Sequence, residues 1–140
     1  ANSTTNPPFN LRDFSDGSSQ TMMLSEVIDT MPNGTTVDIR GDTWANAKGS
    51  LQFMAYTPPN SSIRDQVEGS KECAYPFQQN PPCLTGANAA FIAARSRHPG
   101  GVSVLFSDGS VKFIKNSISI DAYRAISTKD GGEVVSSEQF

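Results

Sequence analysis

The stretch VSVLFSDGSVKFIK, residues 102–115, decides the fold of this chain. Two runs rich in β-branched and aromatic residues, 102–106 and 111–115, flank the dipeptide Asp108-Gly109. An Asp-Gly pair between such runs is typical of a β-hairpin with a two-residue type I′ turn, in which both central residues need positive φ. The pattern therefore predicts an antiparallel strand pair.

The two-residue turn also predicts which side chains share a face of the hairpin. It sets Phe106 opposite Val111 and Val104 opposite Phe113, and these four apolar side chains form the predicted core face. The other face is predicted to be half-exposed. Its members are Ser103, Leu105, Lys112 and Ile114.

Residues 118–128 are predicted to form a short helix. Ile118, Ala122 and Ile126 recur at four-residue steps, and Tyr123 lies beside them. Ser119 is the predicted N-cap, which would accept a hydrogen bond from the first turn.

The remaining chain contains short strands and turns. Residues 21–27, 36–40 and 50–57 are predicted strands, and 87–94 fits either a strand or a short helix. Residues 58–86 hold most of the prolines and predict one long ordered loop. Turns are predicted at Asp16-Gly17-Ser18-Ser19 and at 31–35. Val134-Val135 fits a short strand or a tail.

Composition limits the class of protein. The 140 residues fit one domain, and 36 % hydrophobic and 18 % charged residues leave a large polar, Gly- and Pro-containing share. We expect a mainly β (α+β) fold with an antiparallel sheet, a long loop and one short carboxy-terminal helix. Residues 1–10 would be an extended lead-in, and 11–140 one β-rich domain. Because the chain begins with Ala1, we take it to be a processed or excised piece.

Charge and hydropathy indicate which partners to expect. A net charge of −3 without a basic run does not favour nucleic acid. The sequence has no run of about 18 apolar residues, so no membrane contact is expected from this segment.

The two cysteines, Cys73 and Cys83, enclose a loop with three prolines. Such a loop cannot hold itself by periodic packing, so a disulfide is the favoured interpretation. Free thiols are the second alternative, and a metal pair the third, because the spacing does not match a zinc site. A disulfide would place the chain in an oxidising compartment.

His98 is the only histidine and precedes the hairpin. Its favoured role is to hydrogen-bond neighbouring backbone and fix the start of the hairpin. Acid–base catalysis, as in a hydrolase, is the rival interpretation, although the sequence has no Gly-x-Ser-x-Gly elbow. No catalytic residue is therefore assigned.

Two aspartates near the amino-terminal end, Asp13 and Asp16, are candidate calcium ligands. Calcium takes six to eight oxygens, and no EF-hand pattern accompanies these residues. Asp16-Gly17 and Asp108-Gly109 are more simply explained as turn residues. We expect no cofactor, and calcium stays open as the alternative.

Aromatic residues offer a different function, a glycan- or surface-ligand-binding module. Exposed rings of Trp44, Tyr56, Tyr75 and Phe77 could supply such a surface. The competing interpretation places Trp44 and Tyr56 in the core, with Tyr75 and Phe77 bracing the loop.

The segment SRHPGGVSVLFSDGSVKFI, residues 96–114, resembles the carboxy-terminal signature of a bacterial protein family abundant in planctomycetes. That family is the prepilin-like His-x9-Asp-Gly family of unknown function; here the motif residues are His98, Asp108 and Gly109. The tail AISTKDGGEVVSS is similar to the family's ending, and residues 16–26 resemble its Asp-Gly-Thr-Ser-Asn-Thr…Gly-Glu segment. Ser18, Gln20 and Ser25 depart from that segment.

The resemblance covers roughly residues 9–140 and implies an architecture and a location. Family members begin with a cleaved prepilin-type leader and a long apolar helix, like type IV pilins or type II secretion pseudopilins. This chain would be the carboxy-terminal part of the head domain. The implied function is a non-enzymatic subunit of an extracellular, cell-surface or periplasmic filament or secretion-type assembly. Its partners would be copies of itself, pilin-like subunits or the missing amino-terminal part.

Overall fold

A computed structural model describes residues 10–41, 53–67, 72–86, 90–133 and 135–136. Over these residues the chain is mainly β with one short helix, as the sequence predicts. The elements follow in chain order: a 3₁₀ turn (Leu11–Asp13), strands β1 (Met22–Ser25), β2 (Asp65–Val67), β3 (Cys83–Thr85), β4 (Gly101–Phe106) and β5 (Val111–Lys115), and helix α1 (Ile120–Ala125).

The strands form two sheets. β1, β4 and β5 make an antiparallel three-stranded sheet with β4 in the centre, and β2 pairs with β3 in parallel. Both strands of the small sheet lie in the region predicted to be one long loop. That prediction was wrong for these residues because a three-residue strand leaves too short a pattern to recognise.

The hairpin β4–β5 is confirmed, but its predicted register was wrong. Leu105 pairs with Val111 and Ser103 with Phe113. The loop has three residues, 107–109, because the N–H of Phe106 donates to the Ser110 carbonyl at 2.8 Å. Positive φ is carried by Gly109, at 87°. This is a type I turn followed by a left-handed glycine rather than a type I′ turn.

A one-residue slip reverses the face on which every side chain of β5 lies. Val102, Val104 and Phe106 of β4 still face the core, but Ile114 joins them there. Val111 and Phe113, predicted to be core residues, are exposed instead.

Helix α1 closes the core against the inner face of the three-stranded sheet. Ile118, Ala122, Tyr123 and Ile126 are buried in that core, as their spacing predicts. The Ser119 hydroxyl accepts a hydrogen bond from the N–H of Ala122 at 3.1 Å, which confirms the N-cap. The helix is shorter at both ends than the predicted 118–128.

Several other predicted strands are shorter or absent. The strand predicted at 21–27 is limited to β1, and residues 36–40 are not a strand although Asp38, Ile39 and Arg40 are buried. In the segment 50–57, residues 50–52 lie outside the described chain and Phe53 forms a single bridge with Ile92.

The remaining predictions concern turns and chain ends. The turns at Asp16–Ser19 and around Gly34 are confirmed. Residues 1–9, 87–89 and Val134 lie outside the described chain, whereas Val135 is buried in the core.

Candidate functional site

His98 lies three residues before β4, and its side chain contacts a carboxylate that is distant in sequence. Its Nε2 is 3.1 Å from Oε1 of Glu26, and Oε2 of Glu26 accepts the backbone N–H of Ser103 at 2.7 Å. The imidazole therefore bonds a side chain and not the neighbouring backbone, which corrects the predicted partner. Glu26, the residue after β1, thereby connects the end of that strand to the hairpin.

Asp108 occupies the opposite end of the hairpin. Its Oδ1 accepts hydrogen bonds from the N–H and hydroxyl of Ser110, which lower the pKa of Asp108. β4 separates it from His98, and six residues at about 3.3 Å each place the two roughly 20 Å apart. His98 and Asp108 therefore cannot act on one substrate atom.

Asp16 fastens the carboxy-terminal residues to the start of the chain. Its two oxygens accept the backbone N–H groups of Gly131 and Gly132, both at 2.8 Å. The N–H of Gly132 has the largest effect on the pKa of Asp16; desolvation opposes it, and together with Gly131 the bonds hold this pKa below its usual value. Gly17, at φ 90°, lies in the turn that orients the carboxylate of Asp16 towards these N–H groups.

The two Asp-Gly turns meet at this same end of the sheet. The N–H of Asp108 donates to the Ser18 carbonyl at 3.1 Å, and Nζ of Lys112 donates to the Ser19 carbonyl at 2.9 Å. The turn at Asp16-Gly17, the turn at Asp108-Gly109 and the tail at Gly131-Gly132 are remote in sequence but meet at one end of the sheet. His98 and Glu26 lie at the opposite end.

The candidate calcium ligands, Asp13 and Asp16, are both occupied by backbone donors. Oδ2 of Asp13 accepts the N–H of Asn10 at 2.7 Å. Within the described ranges, no group of three or more His, Cys, Asp and Glu side chains is arranged to hold a metal ion.

The predicted disulfide between Cys73 and Cys83 is present, with Cα atoms 5.9 Å apart. It joins the loop after residue 72 to the first residue of β3. Neither a free thiol nor a metal pair is therefore formed by these two cysteines.

A buried ionic cluster holds the same region and was not foreseen from the sequence. Arg40 bonds Asp38 at 2.7 Å and Asp65 at 2.9 Å, and Arg95 bonds Asp65 at 2.8 Å. Burial alone would raise the pKa of Asp38, yet Arg40 and the N–H of Ala74 hold it below its usual value. We call these four residues, Asp38, Arg40, Asp65 and Arg95, the ionic cluster.

The outer face of the three-stranded sheet carries an apolar surface. Leu24, Leu105 and Val111 lie in one row across the three strands, and Phe113 lies beside them on β5. Leu24 is 59 % exposed, Val111 67 % and Phe113 44 %. These four residues form what we call the outer patch.

Among the comparisons with known proteins, a family model matches this chain. Residues 2–121 match the model of a family described as a protein of unknown function, DUF1559. The chain belongs to the DUF1559 family. No curated protein and no solved structure matches it. The match covers most of the chain, and the description of the family names no activity.

The DUF1559 match includes the residues of the hairpin, both Asp-Gly turns and His98, and it ends at Asp121. The tail that ties to Asp16 lies beyond the match. In the described part of this DUF1559 chain, no helix combines the length and apolar character needed to cross a bilayer.

Among the described aromatic residues predicted for a binding surface, Tyr56 and Tyr75 are exposed, and each contacts another side chain of the protein. Tyr56 is 61 % exposed rather than in the core, and its ring lies 4.7 Å from that of Phe91. Tyr75 is 42 % exposed, with the guanidinium of Arg64 5.6 Å from its ring centroid, and Phe77 is half-buried. Trp44 lies outside the described residues.

Proposed function

We propose that this DUF1559 chain is a non-enzymatic structural subunit, the head domain of a pilin-like or pseudopilin-like assembly outside the cytoplasm. The observation that carries the proposal is the outer patch. A rigid antiparallel sheet presents four apolar side chains on the face turned away from its own core.

The members of the outer patch are neighbours on adjacent strands. Single exposed apolar residues are ordinary, whereas a contiguous apolar surface on a folded domain marks a contact with another molecule. The three-residue hairpin loop is what turns Val111 and Phe113 outward, so the patch is built into the register of the sheet.

The scaffold behind the outer patch is well suited to transmitting load. The hairpin is bonded along its length, α1 seals the inner face, and the disulfide and the ionic cluster fix the second sheet. A disulfide is typical of oxidising compartments, which supports a cell-surface, extracellular or periplasmic location.

The rival hydrolase at His98 has little support in the local geometry. The nearest hydroxyl along the chain, that of Ser96, donates to the Gly101 carbonyl at 2.7 Å and accepts the N–H of His98. The imidazole faces Glu26 instead. A nucleophile paired with its base is the arrangement that such catalysis requires.

The partners of the outer patch in this proposal are other copies of the chain, pilin-like subunits or an amino-terminal segment of the same protein. All three would cover apolar surface. Nucleic acid does not fit, because the chain is acidic overall.

The test compares two valine substitutions in the native host. Val111→Asp places a charge in the outer patch, and Val37→Asp is a matched control, because Val37 is 55 % exposed and lies outside the sheet. Assembly is measured by cross-linking and by the amount of protein in the sheared surface fraction.

We expect Val111→Asp to lower the assembled fraction at least tenfold while the melting temperature is kept, and Val37→Asp to leave assembly unchanged. Wild-type protein that stays monomeric and uncross-linked in the host would refute the proposal. Equal assembly of the two variants would also refute it.

A further inference from the structure

A polar groove runs between the proline segment 79–82 and the segment 95–98, with Asn60 and Asn116 closing one side. Its volume is about 430 Å³, and it is open to solvent rather than enclosed. We call it the donor groove. The outer patch and the functional proposal above do not involve it.

The charge of the donor groove differs from that of the chain as a whole. Arg97 and His98 line it, and no aspartate or glutamate of the described residues does so. Glu26 and Asp29 line an adjoining cavity, which shares Ile28, Arg95, Ser96, Arg97 and His98 with the donor groove. Arg95 is paired with Asp65 and His98 with Glu26, so Arg97 is the basic side chain of this groove that has no carboxylate partner among the described residues and can face an anionic group.

Several hydrogen-bonding groups in the donor groove are uncommitted. Gln79 Oε1 accepts a hydrogen bond from Arg97, and Asn116 Oδ1 accepts one from Asn60 at 2.9 Å. The Nε2 of Gln79, the Nδ2 of Asn116 and the remaining N–H groups of Arg97 have no other partner among the described residues. A fork of guanidinium donors matches the geometry of a carboxylate.

His98 adds an acceptor to these donors. Its Nε2 must carry hydrogen to bond the carboxylate of Glu26, which leaves Nδ1 as the acceptor of the neutral ring. The groove thus combines donors for an anion with an acceptor for a hydroxyl group.

The walls of the donor groove are held from behind by the ionic cluster. Arg40 donates to the carbonyls of Pro81 at 2.9 Å and Pro82 at 3.4 Å, and Arg95 fixes the opposite wall through Asp65. Asn60 accepts the N–H of Ser96 at 2.8 Å. A groove with walls fixed in this way has little ordering entropy to lose on binding.

We propose that the donor groove binds an acidic sugar, with the sugar carboxylate on Arg97 and hydroxyl groups on Asn116, Gln79 and His98. The apolar part of the lining is limited to Ile28 and the two prolines, which gives a peptide side chain little to bury but suits the C–H face of a sugar ring. A simple anion such as phosphate would bond Arg97 but would leave Nδ1 of His98 and the side-chain amide N–H groups of Asn116 and Gln79 without partners.

Titration calorimetry on the full chain tests this site with four probes: trigalacturonate, its uncharged trimethyl ester, triglutamate and inorganic phosphate. Trigalacturonate should bind with one-site stoichiometry and more tightly than the other three. Arg97→Gln should weaken that binding at least tenfold, and Asn116→Ala severalfold.

The matched control is Arg12→Gln, which removes an exposed guanidinium outside the groove and should leave the affinity unchanged. Melting temperatures check that each variant is folded. The site is refuted if no saturable heat is seen up to about 10 mM sugar, or if Arg97→Gln binds like wild type. Equal or tighter binding of the ester, triglutamate or phosphate would refute the acidic-sugar assignment.

Discussion

Asp16 shows how one carboxylate can hold two ends of a chain together. Its oxygens accept the N–H groups of Gly131 and Gly132, while its own N–H donates to the Lys129 carbonyl at 3.3 Å. The contact is solvent-exposed, so its contribution comes from satisfying a backbone turn more than from burying charge.

Asp16→Ala should lower the melting temperature at neutral pH. Because the folded-state pKa of Asp16 lies below the usual 3.8, its stabilisation is complete above the unfolded-state pKa and disappears as the pH falls through the folded-state value. The difference between wild type and variant should therefore shrink as the pH is lowered below 3.8, the ordinary pKa of the group. Scanning calorimetry across pH measures it.

Asp29→Ala is the control for Asp16, since the exposed carboxylate of Asp29 has no hydrogen-bond partner among the described residues. A gap between wild type and Asp16→Ala that stays constant from neutral to acid pH would contradict the assignment of the effect to an ionised carboxylate.

The pair His98–Glu26 predicts a small coupling energy. Exposed pairs of side chains contribute about 0.2–1 kcal/mol, and the side chain of His98 is 59 % exposed. A double-mutant cycle with His98→Ala and Glu26→Gln, measured by urea unfolding, should return a coupling in that range. Zero coupling, or a hydrolytic activity lost with His98→Ala, would contradict a structural role for the imidazole.

At the residue scale, local sequence revealed contacts between near neighbours and missed those between distant ones. The disulfide was predictable because both cysteines close one proline-rich loop. The partner of His98 was not, because Glu26 lies 72 residues away and no local pattern reports such a pairing.

At the scale of elements, the hairpin β4–β5 depends on two glycines for different reasons. Gly109 sits at φ 87° with open space around it. Gly101 has an ordinary backbone, but a Cβ there would meet the Ile114 carbonyl and lie 2.7 Å from Cε1 of Phe113. The first glycine relieves strain and the second avoids a collision.

Substitution by asparagine distinguishes backbone strain at position 109 from a steric collision at position 101. Gly109→Ala should cost about 1–2 kcal/mol, and Gly109→Asn much less, because asparagine tolerates the left-handed region. Gly101→Ala should cost about 1–3 kcal/mol and Gly101→Asn at least as much, because the collision is with backbone. Urea unfolding measures all four variants; a rescue of position 101 by asparagine would contradict the model of a collision.

The same hairpin shows which features of this fold the sequence predicts and which it does not. Alternation within each strand was correct, so Val104 and Phe106 share one face and Val111 and Phe113 share another. The relation between the strands depended on loop length, and Asp-Gly occurs in both two- and three-residue loops. The outer patch could not be predicted, because a single residue of loop length decides which face is buried.

At the scale of the whole molecule, the ionic cluster connects segments that share no secondary structure. Asp65 accepts bonds from Arg40, Arg95 and the N–H of Ala93, and so joins the small sheet to the segment leading into β4. The four charged residues look like surface positions in the sequence. Their burial is set by chain packing that no local pattern encodes.

The disulfide and the ionic cluster secure the same part of the molecule by different means. Reducing Cys73–Cys83, or replacing both by serine, should cost about 2–3 kcal/mol, because the closed loop is short. Urea unfolding with and without reductant measures this cost. The serine double variant is the control, since it should lose all sensitivity to reductant.

Asp65→Asn should be far more damaging than loss of the disulfide. Arg40 and Arg95 are almost fully buried, and removing the charge they share leaves two guanidinium groups without full compensation. Breaking a buried pair costs about 3–5 kcal/mol. Because Arg40 and Arg95 also hold both walls of the donor groove, the variant should lose groove binding wherever it still folds. If the unfolding free energy of Asp65→Asn lies within about 1 kcal/mol of the wild-type value, the ionic cluster does not hold the small sheet to the segment before β4.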